Sequence, residues 1–174
     1  MWPFVLEALL PLKDRGYLTT YSRKTGNFTR GPLTIIGTGN TPLSHVYYSS
    51  ERIVFYDAPL RSLDMPAQIP ATSAGPAIEV ELDNTISPMA SAKFPPLAHI
   101  GLAMYPLPNP AIGWMKGKTE EARRRGIQSR WWGAAGNPKW VRRRVWAMMK
   151  EAETDWINGD NLHDLARWLR EVDG

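Results

Sequence analysis

Asp57, Glu79 and Glu81 are the side chains whose types and spacing most readily suggest chemistry. Asp57 closes the apolar run Arg52-Ile53-Val54-Phe55-Tyr56, and the two glutamates alternate with apolar residues in Ala77-Ile78-Glu79-Val80-Glu81-Leu82. Alternate residues of a strand point to one face, so Glu79 and Glu81 project together. With Asp57 on a paired strand, the three carboxylates become, as an alternative, candidate catalytic groups and ligands for a hard divalent cation such as magnesium. The leading expectation is a strand with its acidic face in water, with no catalytic residue, no metal and no cofactor.

Other catalytic chemistry finds little footing. Zero cysteines exclude a thiolate metal site, a cysteine nucleophile and a disulfide scaffold. His45 and His99 fall in predicted strands without a carboxylate at metal-ligand spacing, and His163 sits beside the apolar stripe of the last predicted helix. No zinc-peptidase, nucleophile-elbow or phosphate-loop motif is present. Gly37-Thr38-Gly39 follows a predicted strand, but Pro42 takes the place of a third glycine, so the segment reads as a turn. An acidic residue followed by a Glu-x-Lys pair on the next strand is the scheme of metal-dependent nucleases such as the restriction-endonuclease-like group, and the Asp57, Glu79, Glu81 segment is similar to it. The resemblance implies a magnesium-dependent nuclease, with Glu81 standing where that group commonly has lysine.

A second constellation is basic and aromatic. Lys116, Lys118, Arg123, Arg124, Arg125, Arg130, Lys139, Arg142, Arg143 and Arg144 crowd one segment, with Trp131, Trp132 and Trp140 among them. Cations that neutralise phosphates release counterions, and indole faces stack on unpaired bases. The segment is therefore a candidate surface for RNA, DNA or a protein partner, since Trp and Arg are also enriched at protein interfaces. The opposing expectation is internal neutralisation: residues 116–144 carry 10 basic and 2 acidic side chains (+8), and residues 145–174 carry 3 and 7 (−4).

The elements that must position these groups divide in two. Fourteen of 15 prolines precede residue 111, and seven of eight tryptophans follow residue 113, which places a boundary near Ala111 to Met115. Residues 1–112 read as a β-containing, proline-rich region. Strands are expected at 33–36, 77–82 and 99–104, with a hairpin of 45–48 and 52–56; segments 58–76 and 84–97 read as extended arms. At the start, a short helix between Pro3 and Pro11 should dock Phe4, Leu6, Leu9 and Leu10; no signal peptide is recognised, and no apolar run is long enough to span a bilayer. Residues 113–174 read as helical, with Thr119 capping a short helix. Asn137-Pro138 should open a helix to about Trp156, with Val141, Val145, Met148, Met149, Ala152 and Trp156 on one apolar stripe; Asn158-Gly159 should end it and Asp160 should cap the last one, giving an αα-hairpin over 138–172.

Together these observations predict an α+β fold with an irregular β-rich half and a basic, Trp-rich helical half. The function expected is that of a non-catalytic structural component of a large assembly, of virion or ribosome type, intracellular or within a virion. Its expected partners are neighbouring subunits and nucleic acid. The alternatives are the metal-dependent nuclease and a protein-binding adaptor.

Overall fold

The computed structural model describes residues 2–73, 75–95 and 110–173. The fold is mixed α+β, with several β-sheets and a C-terminal cluster of helices in a region where Trp140 and Trp156 stand exposed. The chain packs as two compact units: residues 1–58, 62–89 and 125–127 form one, and residues 59–61, 90–124 and 128–174 the other.

The first unit opens with helix α1 (Trp2–Asp14). Its inward face is Trp2, Leu6, Leu9 and Leu12, which pack on buried Leu18, Ile53 and Val54. Phe4 and Leu10, expected to dock, are exposed instead. The helix also runs through Pro11, because Leu12 gains that packing and Lys13 pairs with Glu51 at 2.6 Å. Strands β1 (Thr20–Ser22), β2 (Asn27–Thr29) and β4 (Glu51–Arg52) form a small antiparallel sheet ordered β2-β1-β4. Strand β3 (Ile36–Gly37) pairs in parallel with β5 (Phe55–Pro59).

Between β3 and β4 the chain forms helix α2 (Leu43–Tyr48), not the expected hairpin strand. A short apolar and aromatic run fits either state, and here tertiary contacts decide. Buried Arg52 donates to the carbonyls of Val46 (2.9 Å), Tyr47 (3.0 Å) and Thr85 (2.8 Å), so its guanidinium satisfies carbonyls at the end of α2. Burial pulls the Arg52 pKa below its ordinary value. Strands β6 (Ala67–Ile69) and β7 (Ile78–Val80) form a separate antiparallel pair.

The segments expected to be extended arms are packed. Leu60, Leu63, Ile69, Ile86, Ala90, Ala92 and Phe94 are all buried, and the second segment contains strand β8 (Met89–Lys93). Proline disfavours α-helix in these stretches without preventing burial, and Leu60–Ser62 makes only a short 3-10 turn.

In the second unit, helix α3 (Pro110–Arg124) begins well before Thr119. Proline suits the first helical position, and Thr119 lies fully buried in mid-helix. Residues 128–132, expected as part of a helical half, are strand β9 (Gln128–Trp132). Its alternation explains the Trp pair: Trp131 is fully buried against Trp114 of α3, whereas Trp132 faces the other way and is exposed.

Helix α4 (Lys139–Glu151) is closed off just beyond its cap by Glu153, whose φ of 56° is left-handed and whose amide donates to the Lys150 carbonyl at 2.9 Å. The chain then enters strand β10 (Trp156–Ile157), parallel to β9, before helix α5 (Leu162–Asp173). The expected αα-hairpin is therefore a helix–strand–helix unit. Trp156 pairs in a sheet instead of extending the α4 stripe. The two helices still meet, with Trp146 packed on Leu165 and on the Trp168 ring at 5.6 Å. Asn161, not Asp160, caps α5, its Oδ1 accepting the Asp164 amide at 2.8 Å. The strand expected at 99–104, and His99 with it, lies outside the described residues.

Candidate functional site

Strands β9 and β10 run in parallel, each followed by a loop and a helix. In such βα units the loops at the carboxyl ends of the strands are the usual place for ligands, because they sit on a rigid scaffold and lead into helix amino termini. Here the two loops, residues 133–138 and 158–161, enclose a cavity of about 360 Å³. That volume lies within the range of small-molecule sites. Its polar lining comes from Asn137, Arg142, Asn158, Asp160 and Asn161, and Gly133 and Gly136 leave backbone exposed in its wall.

The walls are fixed from below. Arg142 donates Nη1 to the Gly136 carbonyl (2.9 Å) and holds Asp164 Oδ2 at 2.5 Å through Nη2. Trp146 Nε1 donates to the Asn158 carbonyl at 3.0 Å. A Cβ on Gly159 would stand 3.0 Å from Leu165 and 3.4 Å from Trp146, so the second loop lies close on the helix pair. Ser129 and Asp155 tie β9 to the start of β10, with the Ser129 amide and hydroxyl both donating to Asp155 Oδ2 at 2.8 Å.

Beside the cavity, the ends of β8 and β9 carry a second group. The Phe94 amide donates to the Trp132 carbonyl at 2.7 Å. Both strands lie at lower residue numbers than this bond, so they run in the same direction and end level. Ala90, Ala92, Ser129 and Trp131 are buried on the face that meets α3. Alternation puts Ser91, Lys93, Arg130 and Trp132 on the opposite face. Arg130 Nε donates to Asn158 Oδ1 at 2.8 Å. The Ser91 hydroxyl is buried without a hydrogen-bond partner, and Lys93 is exposed with its stem beside Gly133.

The basic residues singled out from sequence are mostly neutralised. Glu153 pairs with Lys116 and with Arg123 (3.0 Å), and Glu121 pairs with Arg124. Asp164 receives Arg142, Arg143 (3.2 Å) and Lys139 (3.5 Å), and Glu171 receives Arg143 at 2.7 Å. Hydrogen bonding from Arg142 first, and then from Arg143, pulls the Asp164 pKa down to about 2 against the opposing effect of desolvation. Arg125 reaches the Leu82 carbonyl at 3.4 Å, Arg144 lies over the Trp140 ring at 5.3 Å, and Lys118 is half-buried on α3. Lys116, Arg123, Lys139, Arg142 and Arg143 thus meet the acidic tail within the same unit.

The carboxylates are dispersed. Asp57 lies on β5, paired with β3, whereas Glu79 lies on β7, paired with β6, and accepts Gln68 Nε2; Glu81 follows β7 and is exposed. Buried Ser87 steadies the backbone beside Asp57, accepting the Ala58 amide at 3.0 Å and lying 2.7 Å from the Tyr56 carbonyl. Among the described residues no three Asp, Glu, His or Cys side chains stand together as a metal-holding group. His45 is half-buried on α2 and His163 is exposed on α5. Also among the described residues, no helix is long and apolar enough to cross a membrane.

Sequence reasoning passed over Lys93 and took Asn158-Gly159 only as the end of a helix. The available signal was the alternation in Gln128-Ser129-Arg130-Trp131-Trp132, a strand pattern followed by the glycine-rich stretch 133–136.

A family profile described as an AIM6-like phosphodiesterase domain matches residues 1–57. Three curated fungal proteins are similar over nearly the whole chain. An altered inheritance of mitochondria protein 6 homolog of Arthroderma benhamiae is 29% identical over 93% of this chain and 47% of its own length. The altered inheritance of mitochondria protein 6 of Eremothecium gossypii is 27% identical over 96% of this chain and 42% of its own. That of Kluyveromyces lactis is 28% identical over 92% and 42%. The chain spans less than half the length of these relatives. No solved structure matches it. These likenesses overturn the expected virion- or ribosome-type structural component: residues 1–57 match a phosphodiesterase-domain profile, the chain is similar to fungal altered inheritance of mitochondria proteins, and its basic segment is largely paired internally.

Proposed function

We propose that this chain contributes to a phosphodiester hydrolase, with its working surface at the carboxyl ends of β8, β9 and β10. The observation that carries the reading is the phosphodiesterase profile over residues 1–57. The strand-end cavity, with its polar lining and adjoining cations, supports it as a place for a charged, hydrogen-bonding substrate. Hydrolysis of a phosphodiester needs cations to hold the non-bridging oxygens and an oriented water, and Arg130 with Lys93 suits the first need. The nuclease expected from sequence is one member of this class. Magnesium stays part of the proposal as the cation tested, without Asp57, Glu79 and Glu81 as its assigned ligands.

The test is turnover of bis(4-nitrophenyl) phosphate by the purified chain, with magnesium and with chelator. The expected result is release of 4-nitrophenolate that falls on chelation. No release under either condition overturns the reading. Parallel incubation with single-stranded DNA distinguishes a nuclease from a hydrolase of smaller diesters.

A further inference from the structure

We infer that Arg130 and Lys93 form the anion-recognition element of this surface, holding the phosphate oxygens of a phosphate-bearing ligand, with Asn158 as the residue that positions Arg130. The inference deepens the hydrolase reading and rests on it for the location of the site.

Among the described residues, neither Lys93 nor Arg130 makes an ion pair, although most of the neighbouring helical cations do. Arg130 is half-buried, and its one hydrogen bond uses Nε, directed to Asn158 Oδ1 at 2.8 Å. That bond fixes the plane of the guanidinium and leaves both terminal nitrogens for a ligand. A pre-oriented fork of this kind matches two oxygens of a phosphate, where lysine acts as a point charge.

Lys93 reaches the same end of the sheet. Strands β8 and β9 finish level at the bond between Phe94 and Trp132, and the Lys93 Cγ lies 3.5 Å from where a Cβ on Gly133 would stand. Gly133 has a φ of +69°, which turns the chain away just after Trp132. The Lys93 carbonyl is itself held by Arg61 Nη2 at 2.8 Å. On the same strand face, the buried Ser91 hydroxyl has no partner and offers a further donor. The Trp146 bond to Asn158 uses the backbone carbonyl, so replacing the Asn158 side chain leaves that support in place.

The test is calorimetric titration of the chain with inorganic phosphate at low ionic strength, with circular dichroism confirming the fold of each variant. Arg130→Gln should weaken binding about tenfold or more, as expected for loss of a charged hydrogen-bonding partner. Lys93→Gln should weaken it by a smaller factor, and because Lys93 is exposed that variant carries the test if Arg130→Gln misfolds. Asn158→Ala should weaken binding while Arg130 is still present, and Asn158→Asp, which restores the acceptor, should recover the restraint on Arg130 seen in its side-chain NMR resonance. Lys116→Gln, at a paired helical cation, should leave affinity unchanged.

Phosphatidylcholine vesicles with and without phosphatidic acid give the second arm. Arg130-dependent retention on the acidic vesicles assigns the phosphate to a lipid headgroup, and Arg130-dependent binding in solution alone assigns it to a soluble compound. Phosphate binding that is absent from the wild-type chain, unchanged in Arg130→Gln and Lys93→Gln, or weakened equally by Lys116→Gln, overturns the inference. Diester turnover that persists undiminished in Arg130→Gln also overturns it while the hydrolase reading stands. Arg130-dependent phosphate binding in a chain without diester turnover removes the hydrolase reading and keeps the inference.

Discussion

Two populations of cations lie in the second unit, on its helices and at its strand ends. On α3 and α4, Lys116, Arg123, Arg124, Lys139, Arg142 and Arg143 are each matched to a carboxylate, mainly Glu153, Asp164 and Glu171. At the ends of β8 and β9, Lys93 and Arg130 make no such pair among the described residues. A surface field depends on what is left after neutralisation, so a dense run of basic residues can present less charge to a partner than two isolated ones. The helical set is therefore largely neutralised within the unit, and the strand-end set is the one proposed to act in recognition.

Removing the hub of the helical set should have the largest effect. Asp164→Ala leaves Lys139, Arg142 and Arg143 without their shared carboxylate and frees the loop carbonyl at Gly136 from an anchored Arg142. Thermal unfolding should show a clear loss of stability, and it should be accompanied by loosening of the 133–138 loop. If the midpoint is unmoved, the pairing is incidental.

The same group sets an acid limb. Its folded pKa of about 2 lies below the ordinary 3.8, so its stabilising contribution is complete above pH 3.8 and is lost as pH falls toward 2. Wild-type stability should decline through that window, and Asp164→Asn should flatten the decline. An identical acid profile in both proteins removes Asp164 as its source.

At the strand ends, Gly133→Ala should cost about 1–2 kcal/mol, because an L-residue is forced to a φ of +69°. The new methyl would stand at ordinary contact distance from the Lys93 Cγ, 3.5 Å, so any weakening of phosphate binding should come from the strained turn. Loss of stability without loss of binding would separate the turn from recognition.

The smallest effect is expected for Glu153→Gln. Lys116 and Arg123 hold the Glu153 carboxyl below its usual range, but all three groups are exposed, and exposed pairs contribute little. A slight loss of stability at low salt should vanish at high salt. A loss that persists in high salt would mean that the backbone at Glu153, with its left-handed φ of 56°, matters more than its charge.

Several features were legible in the residues alone. The helical start at Asn137-Pro138, the buried stripe of Val145, Met148, Met149 and Ala152, and the strand near 78–80 all follow from local pattern. So did the possibility that the acidic tail cancels the basic segment. The misreadings fall where two states share one local pattern. His45-Val46-Tyr47-Tyr48 fits helix or strand, and tertiary contacts, among them the guanidinium of Arg52 against the end of α2, tip the balance. Trp156 fits the α4 stripe equally well, but its pairing with Arg130 on β9 removes it from the helix.

The sequence by itself set the charge asymmetry, the absence of thiol chemistry and the turn-forming glycines, because these depend on composition and on backbone freedom at single residues. Which cations are left unpaired, and which carboxylates stay apart, was decided only in three dimensions. Asp57 and Glu79 went to different strand pairs, and Asp164 came to serve cations more than 20 positions away. Ion pairing acts through distance in space, and local spacing along the chain carries no record of it.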